Sequence, residues 1–178
     1  MRLEGRHVAI LIAPRGSEDS EFSKPRHALQ QAGARVSVLG LEAGTAQTFR
    51  NDLDPAGTYD VDMLVAQAEP AQFDALVIPG GTVGADKLRA DPAVGALVIE
   101  IAGAGKPVAA ICHAPWVLID AEVVRGRTLT SFPSLQRDLI NAGAQWVDRE
   151  VVVDGGLITS RNPDDLDAFN RALIDALA

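Results

Sequence analysis

The 178-residue sequence predicts an α/β fold, a doubly wound and mostly parallel sheet flanked by helices, and three observations carry that expectation. Four short runs, Val8 to Ala13, Arg35 to Leu39, Ala75 to Ile78 and Val108 to Ile111, are almost continuously apolar, as strands covered on both faces must be. Segments of helical period alternate with them. With right-handed crossovers that alternation leaves a crevice beyond the carboxyl ends of the strands, where ligands bind in such folds. At roughly 100 to 200 residues per domain, the chain reads as a single domain spanning 1–178.

The elements follow in order. After the first run, Phe22, Leu29 and Ala32 share one side of a helical stretch that Gly33 stops, and Pro25 predicts that this helix begins near it or bends there. The stretch from Gly40 to Pro70 reads only as strand pieces and loops near the sheet edge. Asp91-Pro92 is an N-cap with proline at the first helical position, and Val94, Leu97, Val98 and Ile101 then repeat at helical spacing until Gly103 and Gly105. Trp116 to Ile119 reads as helical. Val151 to Val153, Asp154-Gly155-Gly156 and Leu157 to Thr159 form a β-hairpin pattern. Asn162-Pro163 opens a last helix whose buried stripe is Leu166, Phe169, Leu173 and Leu177, with Asp164 and Asp165 at the positive end of its dipole.

Sixteen Lys and Arg against 24 Asp and Glu give a net charge of −8, which repels phosphate backbones and anionic membranes and argues against nucleic acid or a membrane as primary partner. One cysteine cannot form an internal disulfide, and no Cys/His cluster offers the ligands of a zinc site, so neither metal nor cofactor is expected. The apolar run after Arg2, Glu4 and Arg6 is too short for a signal sequence or a span, which leaves a cytoplasmic location as the expectation.

Three loops meet the predicted crevice: Pro14 to Asp19, Pro79 to Thr82 and Cys112 to Pro115. Cys112 sits between a strand and a helix, with Ala110 and Ala114 two residues either side, as a nucleophile on a sharp elbow requires. Pointed at a helix N-terminus, its thiol is expected to titrate below the ordinary value. The same position also suits a small buried hydrophobe. His113 serves either as a base or imidazolium beside a thiolate or as a polar cap on the elbow, while His7 and His27 read as structural or exposed. Gly80-Gly81 can aim backbone N–H groups at a developing negative charge, or simply turn the chain. Glu18, in the first loop, would have its carboxyl pKa raised if buried beside Cys112 and would then donate to the sulfur or its oxides; otherwise it supplies charge to a helix start.

Glu18 to Phe22, Glu69 to Gly81, Gly105 to Val108, Ala110 to Pro115, Val124 to Arg127, Asn141 to Ala144, Glu150 to Asp154 and Thr159 to Leu166 together resemble the PfpI-type intracellular proteases. That family lies in the class I glutamine amidotransferase-like superfamily, which also holds the Parkinson-disease-associated deglycase and chaperone proteins. The resemblance implies a flavodoxin-like fold, a nucleophile at Cys112, a companion at His113, a protonated Glu18 touching the sulfur, and oxyanion donors from the Gly81 and His113 amides beside Gly80. It implies a stress-response cysteine hydrolase acting on peptides, methylglyoxal or glycated amino acids and proteins. A redox sensor or holdase without turnover is the alternative. Relatives form dimers, some of them stacked into hexamers, in which an acid after the double glycine reaches the histidine of a neighbouring subunit; Asp86 matches that acid, after one extra residue. Ala114 replaces the usual glycine and Ser17 the usual aromatic, which changes the expected pocket floor, and Trp116 narrows its entrance.

Overall fold

A computed structural model describes residues 2–178. The apolar runs become strands β1 (His7–Ile12), β3 (Arg35–Gly40), β7 (Ala75–Ile78) and β8 (Val108–Ile111). β3 and β7 lie parallel to β1 on either side, and β8 lies parallel to β7. The hairpin predicted near 151–159 is β11 (Val152–Asp154) with β12 (Leu157–Ser160), and β12 joins β8 in parallel. With the two-residue β6 (Met63–Leu64) on the far edge, the seven strands run β11-β12-β8-β7-β1-β3-β6.

Alternation along each strand divides the core into two layers. Ala9, Leu11, Leu76, Ile78, Val108 and Ala110 face one way, onto α3 (Pro92–Gly103) and onto Leu88 of α2 (Thr82–Arg89). Val8, Ile10, Ile12, Val77, Ala109 and Ile111 face the other, onto α1 (Asp19–Gln31) and α6 (Leu166–Leu177). Asp91 caps α3 by accepting the Ala93 N–H at 2.8 Å. Leu166, Phe169, Leu173 and Leu177 are the buried stripe of α6, as their spacing requires.

Three features depart from the sequence reading. Pro25 neither starts nor precedes α1, which begins six residues earlier; it lies inside the helix and is buried with Glu21, Phe22 and Leu29. Proline has no N–H, so the Glu21 carbonyl loses its helical partner there. Arg15–Glu18, expected as loop, is strand β2 of a separate sheet with β4 (Thr45–Arg50) and β5 (Asp54–Asp60). β4 and β5 are polar and half-exposed, and β2, though buried along most of its length, is short and polar, so the apolar pattern that marks the central sheet is missing from all three. A further two-stranded pair, β9 (Thr128–Leu129) and β10 (Gln145–Trp146), lies beyond α4 (Pro115–Asp120), with α5 (Gln136–Asn141) between its strands. Among the described residues no helix is long and apolar enough to cross a membrane.

Candidate functional site: a cysteine on a strained elbow

Cys112 joins β8 to α4 with φ at 65°, in the left-handed region. A side chain there costs ~1–2 kcal/mol, because Cβ crowds the following carbonyl. Backbone bonds hold the residue in place: Cys112 N–H donates to the Ser160 carbonyl at 3.0 Å, and its own carbonyl accepts from Phe132 N–H at 2.8 Å. The two alanines fit the sharp turn, with Ala110 and Ala114 both fully buried. Gly80 packs so closely that a Cβ on it would lie 2.7 Å from Cys112 Cβ and 2.6 Å from Glu21 Oε2. Only 7% of Cys112 is exposed, and the amides of Gly81 and His113 both donate toward its sulfur.

The carboxyl group at the sulfur belongs to Glu21, not Glu18. Glu18 lies at the end of β2, one residue ahead of α1, and its Oε2 accepts the Asn51 N–H at 3.0 Å. Burial raises the Glu18 carboxyl pKa, yet its partners lie in the hairpin between β4 and β5. Glu21 is one turn into α1, fully buried, and its Oε2 accepts the Gly80 N–H at 2.9 Å. That bond also corrects the role expected of Gly80: its amide is spent on Glu21, leaving Gly81 and His113 as the donors at the sulfur. The other Glu21 oxygen, Oε1, is buried without a hydrogen-bond partner, and the carboxyl group as a whole interacts with the Cys112 thiol. Burial, with the Glu18 charge behind it, pushes the Glu21 carboxyl up to about 8, so near neutral pH it carries a proton.

His113 turns its ring toward the sulfur, with Nδ1 at 3.1 Å from Sγ. Its Nε2 lies 3.3 Å from the Thr82 hydroxyl, which donates to Asp52 Oδ2 at 2.8 Å, while Thr82 N–H donates to Asp52 Oδ1 at 2.7 Å. Phe132 stacks on the imidazole at 4.6 Å between centroids, and Trp116 meets it edge-on at 5.3 Å. Burial pulls the imidazole pKa down, and the Asp52 charge opposes that pull. Asp86 does not join this group within the chain. It is exposed on α2, and its charge acts on Arg89. Arg89 in turn pairs with Asp120 at 2.6 Å and lies over the Trp116 ring.

The thiol itself departs from expectation. Burial and the adjacent Glu21 carboxyl push Cys112 up, and the Gly81 and His113 amides only partly offset them. The helix-dipole argument fails for a physical reason: α4 has six residues and a modest dipole, whereas desolvation acts on the whole charge of a thiolate. A thiolate therefore forms here only if its proton is taken by a neighbour or if Glu21 is neutral beside it. Ser17, where an aromatic was expected, is buried and accepts the Ala13 N–H at 3.1 Å. His7 bonds Ser37 and the Gln72 carbonyl, and His27 is exposed on α1; both lie outside this cluster.

Fold and elbow together define a flavodoxin-like α/β protein with a buried cysteine on a strand-to-helix turn. The chain belongs to the DJ-1/PfpI family, whose pattern it matches over residues 6–176. It is 40% identical to the Bacillus subtilis protein named "Putative cysteine protease YraA" over 97% of this chain and 98% of that one. It is 42% identical to "Protein/nucleic acid deglycase 2" of Escherichia coli, with the same coverage of 97% and 98%. Among solved structures, Drosophila melanogaster DJ-1beta superposes with a TM-score of 0.88 at 34% identity, covering 97% of this chain and 90% of that chain. A two-domain protein of Anabaena variabilis with DJ-1/ThiJ/PfpI-like and ferritin-like domains gives 0.91 at 41% identity, this chain spanning 97% of itself and 48% of that longer one.

Proposed function

We propose that the protein is a cytoplasmic, stress-protective cysteine hydrolase whose substrates are small reactive carbonyls, such as methylglyoxal, or their adducts with amino acids and proteins. The observation that carries this reading is the position of Cys112 Sγ, 3.1 Å from an imidazole nitrogen and beside a carboxyl that stays protonated near neutral pH. The names of the Bacillus and Escherichia relatives support hydrolytic chemistry on carbonyl carbon. With 7% of the cysteine exposed and aromatic rings of Phe132 and Trp116 over His113, the site suits a small aldehyde or the end of a modified side chain better than an extended peptide.

In this reading Sγ adds to the aldehyde carbon, and the Glu21 proton passes to the carbonyl oxygen, giving a hemithioacetal. The resulting carboxylate takes the proton from that carbon and returns it to the adjacent keto carbon, while the hydroxyl proton passes to the former keto oxygen, which leaves a thioester. Water then cleaves the thioester to a 2-hydroxy acid and restores the thiol, with no net oxidation. For an amine glycated as its hemiaminal, the C–S bond forms as the C–N bond breaks, the amine leaves with the proton His113 took from the thiol, and the same hemithioacetal results.

The test is turnover of methylglyoxal, of methylglyoxal-treated amino acids and of casein, each beside Cys112→Ser. Loss of aldehyde or adduct turnover in the variant supports the reading. Cleavage of casein alone would make the protein a peptidase. Wild-type and variant rates that coincide on all three would leave an oxidisable, non-catalytic cysteine.

A further inference from the structure

We infer that Asp52, acting through Thr82, fixes the tautomer of His113 so that Nδ1 is the base facing the Cys112 thiol. The inference rests on the hydrolase reading above for its purpose, but on hydrogen-bond polarity for its content. Asp52 and Thr82 are positioning residues; neither touches the sulfur.

A carboxylate accepts and cannot donate. The Thr82 hydroxyl has one hydrogen, and at 2.8 Å from Asp52 Oδ2 that hydrogen is spent. Only lone pairs of Thr82 Oγ1 remain for His113 Nε2, 3.3 Å away, so the contact is made only if Nε2 carries the proton and donates. Nδ1 of the neutral ring is then bare, and it is the atom 3.1 Å from Sγ. The thiol hydrogen points at it. When the thiol ionises, the S–H bond breaks, the N–H bond forms at Nδ1, and the imidazolium keeps its Nε2–H bond to Thr82 with the Asp52 charge behind it. On the other side of the sulfur the Glu21 carboxyl, whose Oε2 accepts from Gly80, bears on the thiol.

The chain supports this geometry at some cost. Asn51 and Asp52 both have left-handed backbone, with φ of 53° and 64°, at the tip of the hairpin from β4 to β5. Thr82 is the first residue of α2, so its N–H is free of the helix and binds Asp52 Oδ1 at 2.7 Å. The charged or titratable groups that bear on His113 are Cys112 at the elbow, Glu21 behind it on α1, and Asp52 in the hairpin; Arg89, over the neighbouring Trp116, is paired with Asp120.

Asp52→Asn tests the inference, because asparagine suits left-handed backbone at least as well. Its carbonyl can still accept from Thr82 N–H, but its amide donates to Thr82 Oγ1. The hydroxyl hydrogen is then free to turn toward Nε2. The proton of the neutral ring should move to Nδ1, where it faces the sulfur and blocks base action. Long-range ¹H–¹⁵N correlation on histidine-labelled full-length protein reads the tautomer directly, and His113→Gln identifies the signals of His113 among the three histidines. The wild type should show the Nε2–H form and Thr82→Ser should keep it. Asp52→Asn should show the Nδ1–H form, and Thr82→Val a mixture. In parallel, kcat/KM for the aldehyde should fall about 10²-fold in Asp52→Asn and Thr82→Val, chiefly through kcat. A wild-type Nδ1–H tautomer, an unchanged tautomer in Asp52→Asn, or a changed tautomer with full activity would each overturn the inference. If the wild type turns over no aldehyde, the hydrolase reading fails while the tautomer spectra still decide the relay.

Discussion

Replacing Glu21 by glutamine should flatten the pH dependence of stability. A carboxyl that titrates near 4.5 in the unfolded chain and at about 8 in the folded protein holds its proton only when folded across that window. Below the window both states are protonated and there is no penalty; above it both are ionised and the penalty is complete. Stability therefore falls as pH rises, by about 1.4 kcal/mol for each pH unit and by roughly 5 kcal/mol across the whole window. Glutamine has no proton to lose, keeps an oxygen for the Gly80 N–H, and keeps a donor for the sulfur. Urea unfolding at pH 5, 6.5 and 8, with Cys112→Ser in both proteins so that no thiol titrates, isolates this contribution. Relative to the glutamine variant, the parent should lose about 4 kcal/mol between pH 5 and pH 8. Parallel curves would show that Glu21 ionises in the folded protein as it does in water, and the neutral-donor role would go with it.

Other substitutions separate neighbouring roles. Glu18→Gln should displace the pH profile of Cys112 alkylation by iodoacetamide less than Glu21→Gln does, because Glu18 bonds Asn51 and bears on the sulfur only through its charge on Glu21; an equal or larger displacement would return Glu18 to the sulfur. Gly80→Ala should destabilise the protein by ~1–3 kcal/mol in urea, since its Cβ would press on Cys112, Glu21 and the Ile111 carbonyl within 2.8 Å. Wild-type stability in that variant would mean that the elbow is softer than its packing indicates. Phe132→Ala uncovers one face of the His113 ring, and bulky maleimides should then gain more in rate than iodoacetamide does. Equal gains would place the obstruction elsewhere.

What could be read without coordinates follows from which forces leave a pattern in sequence. The central strands are apolar on both faces, so β1, β3, β7 and β8 announce themselves, and the caps of α3 and α6 mark where those helices begin. The sheet of β2, β4 and β5 is held by pairing of polar strands, so β2 looks like loop and the stretch holding β4 and β5 reads only as strand pieces and loops. That loss hid Asp52, although Asn51-Asp52 is a dipeptide suited to left-handed backbone and hence to a hairpin tip. The sequence does hold a signal for Glu21. Glu21, Pro25 and Leu29 are spaced four apart, and Phe22 lies beside them, so a helix starting at Asp19 puts Glu21 at the head of a buried stripe. A carboxyl on such a stripe is the one whose pKa must rise. Reading Pro25 as a start or bend obscured that register. The raised thiol is not legible in the same way, because the position of a helix end is visible in sequence, whereas desolvation depends on packing from separate segments of the chain.

The left-handed backbone of Cys112 also bears on how this chain is free to drift. Glycine would hold the same turn without the crowding of a Cβ, a gain of ~1–2 kcal/mol, offset in part by the greater entropy of an unfolded glycine. Mutation favouring stability alone therefore pulls position 112 toward glycine, and any side chain kept there is kept against that pull. In a duplicated copy relieved of its chemistry, this position should be among the first to change, well before the apolar strands that hold the turn in place.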